Sequence, residues 1–314
     1  YFLIFFVGEV TSAQFTISEL EFDANTVSRI SDVSVTWMGV TNLIFSDSET
    51  NLIVDGFFTR VPSDADHLAN GVFEPNYSVI ESSLKELGIE KAAAIMVVHS
   101  HFDHSLDAPV VAKLTNAMLL GSESTANIGR GMGLSEEQIH IVETGKPLRF
   151  GNFSITFFKS KHWRLPNSEF IELSSLKINT PLTPPAHYSA YKMGEVFSIY
   201  IQHPSVTFLI HASAGFIENS LSDVNADLVM LGTGGLGDLP EAEQENYFRE
   251  VVINTGASWV FPIHWDYMWT KPGEPLKPDN DFQRAMQFLQ NKYHETGIRF
   301  ALLPYAKSVF LPIE

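Results

Sequence analysis

The sequence predicts an α/β fold, an αββα four-layer sandwich in which two mixed β-sheets lie face to face and helices flank both. Short apolar segments bounded by glycine or polar turns recur through both halves of the 314-residue chain, which is typical of strands. Segments with helical spacing of their apolar residues separate these strands. Stacked layers of this kind let every element bury its apolar face.

The predicted strands are the alternating or continuous apolar runs. They cover residues 33–39, 41–45, 51–55, 92–98, 117–120, 152–159, 196–202, 205–211, 226–231, 258–263, 299–303 and 308–311. The predicted helices cover residues 76–87, 105–116, 238–254 and 281–293. Tyr77, Ile80 and Leu84 show the helical spacing of the first of these, and Pro240 favours the first turn of the third.

The domain organisation is predicted to be simple. No repeat, low-complexity tract or linker divides residues 25–314, so we predict one domain there. Residues 163–195 are rich in proline and lack periodicity, and we predict an insertion that is either a functional lid or a surface loop. Residues 1–24 are predicted to be an N-terminal arm or a signal-peptide remnant, because the apolar residues 2–7 precede small polar residues at 11–14.

Composition restricts the partners and the location. The chain has 20 basic and 37 acidic residues and a net charge of −17; the lack of a basic stripe argues against nucleic acid and favours a small-molecule substrate. No run of ~18 apolar residues occurs, which predicts no membrane span. We expect an exported or periplasmic protein if residues 1–13 are a signal-peptide remnant and a cytoplasmic one otherwise. A homo-oligomer is left open.

The most informative segment is His99-Ser100-His101-Phe102-Asp103-His104, an H-x-H-x-D-H pattern that follows the apolar run 92–98. Burying three imidazoles and a carboxylate without partners would cost about 1–3 kcal/mol for each unpaired group. Imidazole and carboxylate are ligands that suit Zn²⁺ and its neighbours, and the chain has no cysteine. The pattern therefore predicts a metal site, and a solvated His-rich loop is the alternative.

Two more histidines follow predicted strands. His162 comes after the strand at 152–159, and His264 comes directly after the strand at 258–263. Ligands brought from several strand ends to one rim are a common way for α/β scaffolds to assemble a site. We expect both imidazoles to join those of the H-x-H-x-D-H segment.

These residues resemble the metallo-β-lactamase-fold hydrolase superfamily. The opening, Thr36-Trp37-Met38-Gly39-Val40-Thr41-Asn42 leading to Leu52-Ile53-Val54-Asp55-Gly56, is similar to the branch that includes ascorbate-6-phosphate lactonases. The resemblance implies that His99, His101 and His162 hold a first metal ion, and that Asp103, His104 and His264 hold a second. It also implies that Asp55 orients a ligand histidine, although an ordinary turn residue is the alternative.

One position departs from the superfamily's pattern. Where most members place an aspartate between the two metals, the matching stretch here has Ser213. Either one or two ions are therefore expected, with Zn²⁺ as the predicted cofactor and Mn²⁺ or Fe²⁺ as alternatives. His211 lies on the same face of its predicted strand and is a candidate substitute ligand or a hydrogen-bonding neighbour.

The aromatic residues near these histidines predict a substrate pocket. Three of the five tryptophans closely follow a ligand histidine. The predicted substrate-binding residues are Trp163, Arg164, His187, Tyr188, Tyr191, Trp265, Tyr267 and Trp269. The segment 232–237 fits G-x-G-x-x-G but lacks the acidic residue of a dinucleotide site, and we predict a rim loop there instead.

The sequence thus predicts a metal-dependent hydrolase. A metal-bound hydroxide would attack the carbonyl of an ester, a lactone or a cyclic amide such as a β-lactam. The predicted catalytic residues are His99, His101, Asp103 and His104. The alternatives are a non-catalytic or metal-binding protein that kept the fold, and a phosphoric-ester hydrolase.

Overall fold

The computed structural model describes residues 14–28, 30–60, 71–163, 176–271 and 273–313. Its strands are β1 Ile30–Trp37, β2 Leu43–Ser46, β3 Asn51–Val54, β4 Val72–Phe73, β5 Ala94–Met96, β6 Met118–Gly121, β7 Ile139–Ile141, β8 Leu148–Phe150, β9 Phe153–Ser160, β10 Ala186–His187, β11 Val196–His203, β12 Val206–His211, β13 Leu228–Gly232, β14 Trp259–Ile263, β15 Arg299–Phe300 and β16 Ser308–Pro312.

The α-helices are α1 Ile17–Leu20, α2 Tyr77–Glu86, α3 Phe102–Ser105, α4 Ala108–Thr115, α5 Glu123–Gly131, α6 Glu241–Phe248 and α7 Phe282–Thr296. Short 3₁₀ turns cover Ala24–Thr26, Glu136–Gln138, Tyr188–Ala190 and Leu236–Asp238, and a π-helical turn continues α6 over Arg249–Ile253. None of the helices in the described part of the chain is both long and apolar enough to cross a membrane.

Two seven-stranded sheets dominate the described structure. One has the order β16-β1-β2-β3-β5-β6-β7 and the other β15-β14-β13-β12-β11-β9-β8. Each is antiparallel in one half and parallel in the other, with the parallel halves formed by β3-β5-β6-β7 and by β12-β13-β14-β15. The predicted pair of mixed sheets is therefore confirmed.

The main core lies between the two sheets. Phe45 of β2 meets Phe208 of β12 with ring centroids 4.9 Å apart, so the inner faces interdigitate. Along β2 and β3 the alternate residues Ile44 and Ile53 instead join a second apolar cluster beneath α2 and α4, as the two-residue period of a strand requires. On the far side, α6 and α7 cover the second sheet with residues such as Met286. These layers confirm the predicted four-layer fold.

Several elements differ from prediction. The helix predicted over 105–116 is two helices, α3 and α4, and α3 already begins inside the metal-binding motif. Pro109 at the start of α4 favours a new helix there, since proline suits a first turn. The helix α5 was not predicted, because Gly129 and Gly131 weaken its helical signal.

The described part of the predicted insertion lies against the body of the domain. The backbone amide of Ile178 donates to Ser124 Oγ over 3.0 Å, and β10 pairs with β4. Closer to the motif, the amide of Ser100 donates to the carbonyl of Met193 over 2.9 Å. Residues 1–13 of the predicted N-terminal arm and the predicted substrate contact Arg164 lie outside the described residues.

Candidate metal centre

The H-x-H-x-D-H motif lies just past the carboxyl end of β5. Since β3 and β5 are parallel neighbours, the residue after β3, Asp55, lies at the same edge. His264 follows β14 at the facing edge of the second sheet. Asp55 and His264 have positive φ angles of 59° and 54°, a conformation that non-glycine residues adopt rarely and often at functional sites.

Three imidazoles form the first ligand group, His99, His101 and His162. One nitrogen of each lies within 4.8 Å of the others, and His99 Nε2 is 3.1 Å from His101 Nδ1. The ring of His162 is centred 5.0 Å from each of the other two rings. Its Nδ1 donates to the carbonyl of Trp163 over 2.9 Å, which leaves the lone pair of Nε2 free for an ion.

Asp103, His104 and His264 form the second ligand group. Asp103 Oδ2 lies 3.3 Å from His104 Nε2 and 3.2 Å from His264 Nε2. Behind His104, the Nδ1 atom lies 2.6 Å from Asp55 Oδ2, while the other oxygen of Asp55 accepts from the amide of Val98 over 2.9 Å. The Asp55 carboxylate thus fixes the ring of His104 and its tautomer, which is the placement that the sequence resemblance implies.

The first ligand group is electrically neutral near pH 7. Burial lowers the pKa of His101 to about 3 and that of His162 to about 4, and each ring is further affected by the neighbouring imidazoles. Burial also takes the pKa of His99 well below its ordinary value. Neutral imidazole is the ligand form, so these rings need not release a proton to bind an ion.

The second ligand group carries charge. Burial alone would raise the pKa of Asp103, but His104 and His264 hold it well below its usual range. Burial opposes charge on His104 too, yet Asp103 and Asp55 raise its pKa. Burial raises the pKa of Asp55 to about 6, against the pull of His104. A divalent cation would meet a carboxylate here that the first group lacks.

The donor set fits a divalent metal ion. Five imidazoles and one carboxylate converge in two groups, each with one potential ligand atom per residue within 4.8 Å of the others, and this set of donors suits Zn²⁺, Fe²⁺ or Mn²⁺. The Nδ1 atom of His99 is buried without a hydrogen-bond partner among the described residues, and its other nitrogen faces His101. That arrangement is understandable for a ring whose position is fixed by coordination rather than by hydrogen bonds.

Above the two ligand groups lies a pocket of about 280 Å³. Its described lining residues are His99, His101, Phe102, Asp103, His162, Trp163, Tyr188, Tyr191, Ala212, Ser213, Gly234, Gly235, His264, Met268, Trp269 and Asp279. Gly235 has a φ of 80°, and a Cβ there would lie 2.8 Å from the Trp163 ring. The 232–237 segment therefore forms a rim loop beside the ligands, in the place that the sequence predicted.

The structure brings four of the predicted substrate contacts to this pocket, Trp163, Tyr188, Tyr191 and Trp269. His187 and Tyr267 are not among its lining residues. His187 is exposed, and its Nδ1 lies 2.7 Å from Ser189 Oγ.

Trp265 needs a correction. It is 1% exposed and packs in the core against Trp37 and Phe282, with ring centroids 5.1 and 5.3 Å away. The backbone at His264, which has a left-handed φ of 54°, turns the next side chain inward, away from the pocket. The interpretation of Trp265 as a substrate contact was wrong.

His211 also needs a correction as a substitute ligand. Its Nδ1 lies 2.7 Å from Ser198 Oγ and its Nε2 lies 2.8 Å from the Gly215 carbonyl. Both nitrogens are therefore used within the protein, and the hydrogen-bonding alternative describes it. Ser213 lines the pocket, and its Oγ accepts from the amide of Trp163 over 2.9 Å.

Sequence reasoning missed an ion pair that supports the site. Arg60 Nη2 donates to Asp266 Oδ2 over 2.8 Å, and both side chains are buried. Asp266 Oδ1 accepts from the amide of Val40, and the carbonyl of Val40 accepts from the amide of His264 over 2.9 Å. The pair thus ties the backbone of a ligand histidine to the loop after β1. No motif surrounds Arg60 that could have revealed this.

Comparisons with known proteins assign the chain to a family. A model of the beta-lactamase superfamily domain matches residues 34–264. A UPF0173 protein from Pyrococcus abyssi is 27% identical over 82 residues, which cover 26% of this chain and 37% of that protein. The match thus spans little more than a third of that relative's length.

Solved structures share the fold. The chain is similar to Igni18, a metallo hydrolase from the archaeon Ignicoccus hospitalis KIN4/I, with a TM-score of 0.56 and 13% identity over 90% of this chain and 99% of that one. It is also similar to CmlA, a diiron β-hydroxylase from Streptomyces venezuelae, with a TM-score of 0.52 and 12% identity over 90% of this chain and 55% of that one.

The family model covers well over half of the chain and includes all six candidate ligand residues. Members of this fold family bind divalent metals, and both ligand groups are assembled here. The predicted resemblance to the superfamily is confirmed, while its lactonase-like branch stays a prediction. The chain therefore belongs to the beta-lactamase superfamily of metal-dependent hydrolases and has the metallo-β-lactamase fold.

Proposed function

We propose that the protein is a zinc-dependent hydrolase of small, uncharged esters or lactones. The observation that carries this proposal is that five of the six candidate ligand residues, all but the buried His104, line an aromatic pocket of about 280 Å³. Pockets for small molecules are mostly apolar with a few well-placed polar groups. Here those polar groups are candidate metal ligands together with Ser213 and Asp279.

The first ligand group would hold one Zn²⁺ and the second group another. A divalent ion bound there would lower the pKa of a water ligand toward ~7 and polarise the oxygen of a carbonyl. The protein's own contribution is orientation. The Asp55 carboxylate and the Trp163 carbonyl hold the rings of His104 and His162 so that their free nitrogens face the site.

The pocket favours a neutral substrate over a phosphoric ester. No lysine or arginine occurs among its described lining residues, whereas phosphate groups are usually held by such side chains. Trp163, Tyr188 and Trp269 instead offer apolar ring surface, and the net charge of −17 would repel polyanions. An ester or lactone with a hydrocarbon body matches this surface.

Metal analysis combined with a substrate panel tests the proposal. The purified protein would be assayed for bound metal and then given phenyl acetate, δ-valerolactone, a chromogenic cephalosporin and a phosphodiester. We expect ester and lactone hydrolysis that a chelator abolishes and Zn²⁺ restores. Bound metal without turnover would favour the non-catalytic alternative, and turnover of the phosphodiester alone would favour the phosphoric-ester hydrolase.

A pair of variants makes the test specific to the site. His101→Ala removes a ligand of the first group, and we expect hydrolysis to fall at least 100-fold because a ligand is lost. His203→Ala is the matched control, because His203 lies at the end of β11 beside Ser205 and outside the pocket. Equal activity in the two variants would contradict the proposed site.

A further inference from the structure

The hydroxyl of Ser213 is bonded to the residue that orients a ligand histidine. Ser213 is 7% exposed, and its Oγ accepts from the amide of Trp163 over 2.9 Å. The carbonyl of the same Trp163 accepts from Nδ1 of His162 over 2.9 Å. Ser213 therefore holds residue 163 through its amide, and residue 163 holds the ligand ring through its carbonyl. A displacement of residue 163 would move the acceptor that orients His162.

The turn that carries Ser213 also contacts the backbone of His162. A Cβ added to Gly215 would lie 2.5 Å from the carbonyl carbon and oxygen of His162, so the two backbones approach too closely for a side chain at position 215. The Gly215 carbonyl in turn lies 2.8 Å from Nε2 of His211, at the end of β12. Residues 213–215 therefore contact the His162 segment at two points and are themselves tied to the second sheet.

This arrangement differs from the support of the second ligand group. There, Asp55 Oδ2 lies 2.6 Å from His104 Nδ1, so a carboxylate contacts the ligand ring directly. At the first group a neutral hydroxyl acts through one intervening residue. A hydroxyl oxygen has lone pairs that can accept from an amide, and Ser213 Oγ uses one of them in this way. This use differs from the metal-bridging role that the sequence resemblance implies for an aspartate at the same position.

We propose that Ser213 is a positioning residue, which fixes the orientation of the His162 ring through Trp163 and so keeps His162 Nε2 available to the first ligand group. This inference rests on the proposed function and adds to it a residue that tunes metal binding at the same site. Removal of a hydrogen-bonded partner behind a metal ligand lowers metal affinity about 10–100-fold. Because Ser213 acts through an intervening residue, we expect the lower end of this range.

Metal titration tests whether the hydroxyl acts on the first group alone. The affinity for Zn²⁺ would be measured by calorimetry on the metal-free full chain, and the ion that is lost in His162→Gln identifies the first group. We expect Ser213→Ala to weaken binding at the first group about 10-fold and to leave binding at the second group unchanged. Ser213→Thr keeps the hydroxyl and should restore the affinity of the unaltered protein.

The imidazole of His162 gives a second readout that needs neither an ion nor turnover. A hydrogen-bonded Nδ1 proton exchanges slowly with water, and NMR of the metal-free protein with ¹⁵N-labelled histidine would measure this exchange. The signal that disappears in His162→Gln belongs to His162. We expect the exchange to become about 5-fold faster in Ser213→Ala, the size of one typical hydrogen bond, because the acceptor carbonyl is no longer held. In Ser213→Thr it should stay slow.

Ser31→Ala is the matched control. The Ser31 side chain is also buried, at 3% exposure, and its hydroxyl donates to the carbonyl of Val33 over 2.7 Å on β1. Ser31 is not among the described lining residues of the pocket. Both variants lose one buried hydroxyl that is bonded to the backbone, so a general loss of stability should be similar in the two. Neither the metal affinities nor the His162 signal should change in Ser31→Ala.

The outcomes separate this inference from the proposed function. A His162 proton that exchanges fast in the unaltered protein, or equally slowly in Ser213→Ala, overturns the inference, and so does an unchanged affinity of a first group that binds an ion. If the first group holds no ion, the exchange measurement alone decides. Equal losses at both groups, or the same changes in Ser31→Ala, would show a general loss of stability and would also overturn the inference. If the expected changes occur but no ester or lactone is hydrolysed, the positioning role stands and the hydrolase proposal falls.

Discussion

The two ligand groups contain three side chains each but differ in charge and in what stands behind the imidazoles. The first group is all imidazole, and among the described residues the partner behind it is a backbone carbonyl, that of Trp163, which accepts from His162. The second group contains the Asp103 carboxylate, and a second buried carboxylate, Asp55, lies behind His104. The first group is therefore neutral, whereas the second group is anionic and has a buried carboxylate hydrogen-bonded behind one of its histidines.

This difference bears on which half holds an ion more firmly. Attraction between unit charges at 4 Å is about 4 kcal/mol at an effective dielectric constant of 20, and a dication gains it from Asp103 but from no residue of the first group. Hydrogen-bonded carboxylates behind ligand histidines also strengthen metal binding. We therefore expect the second group to retain its ion when the first has lost its own.

We expect the largest change in metal affinity from Asp103→Asn. This change removes the anionic ligand of the second group while keeping its shape, and we expect the affinity of that group to fall at least 100-fold. One ion per chain should remain at the first group. Metal content after dialysis against graded chelator measures both. His162→Gln is the control at the first group, and we expect it to leave the metal affinity of the second group unchanged. Loss of both ions in Asp103→Asn would contradict the prediction that the two groups bind metal independently.

A smaller effect is expected from Asp55→Asn. The substitution removes the charge that orients His104 through a 2.6 Å contact, and outer-shell changes of this type cost about 10–100-fold in metal affinity. Asp107→Asn provides the control, because Asp107 is equally buried but accepts from Phe58 and Thr59 instead of a ligand. Metal affinity should fall only in the first variant. Equal losses in the two variants would mean that Asp55 acts through general stability.

Some residues of the site could be predicted from the sequence and others could not. The H-x-H-x-D-H segment places four ligands within six residues, and His162 and His264 follow strand ends, so their convergence could be predicted from strand direction. Trp265 could not be placed this way, because a residue next to a ligand faces inward or outward according to the local backbone, and His264 has a left-handed φ. Arg60 supports the site across the fold and leaves no local pattern.

The secondary structure also contains elements that the sequence predicts and features that depend on tertiary contacts. Apolar periodicity predicted the strands of both sheets except the edge strands β7 and β8, since burial between layers imposes that periodicity. Between α3 and α4, the side chain of Asp107 turns inward and accepts from the backbone amides of Phe58 and Thr59. From the sequence alone, a polar residue that has a tertiary hydrogen-bond partner cannot be distinguished from a polar residue on the exposed face of a helix. Tertiary contacts of this kind therefore set the limit of the prediction.

Ser213→Asp would make the two groups more alike. A carboxylate in place of the hydroxyl adds the charge that the first group lacks, and we expect the affinity for the more weakly bound ion to rise about 10-fold. Ser213→Asn has nearly the same shape without charge and should show no gain. Calorimetric titration of the metal-free protein measures the affinity for each ion. No gain in the aspartate variant would mean that this serine does not limit metal binding.

The smallest effect concerns an imidazole outside both groups, His211, which uses its two nitrogens within the protein. Burial lowers the pKa of His211 to about 4, against the opposing effect of the Gly215 carbonyl. In the unfolded chain the pKa of this histidine is about 6.5. Between these values the unfolded state binds the extra proton, so the free energy of unfolding falls as the pH falls. From pH 6 to 5 the loss due to His211 should be about 1 kcal/mol. His211→Gln should remove that part of the slope in urea unfolding of the metal-free protein, and the same change at the exposed His294 should not. An unchanged slope in His211→Gln would show that this ring is protonated alike in both states.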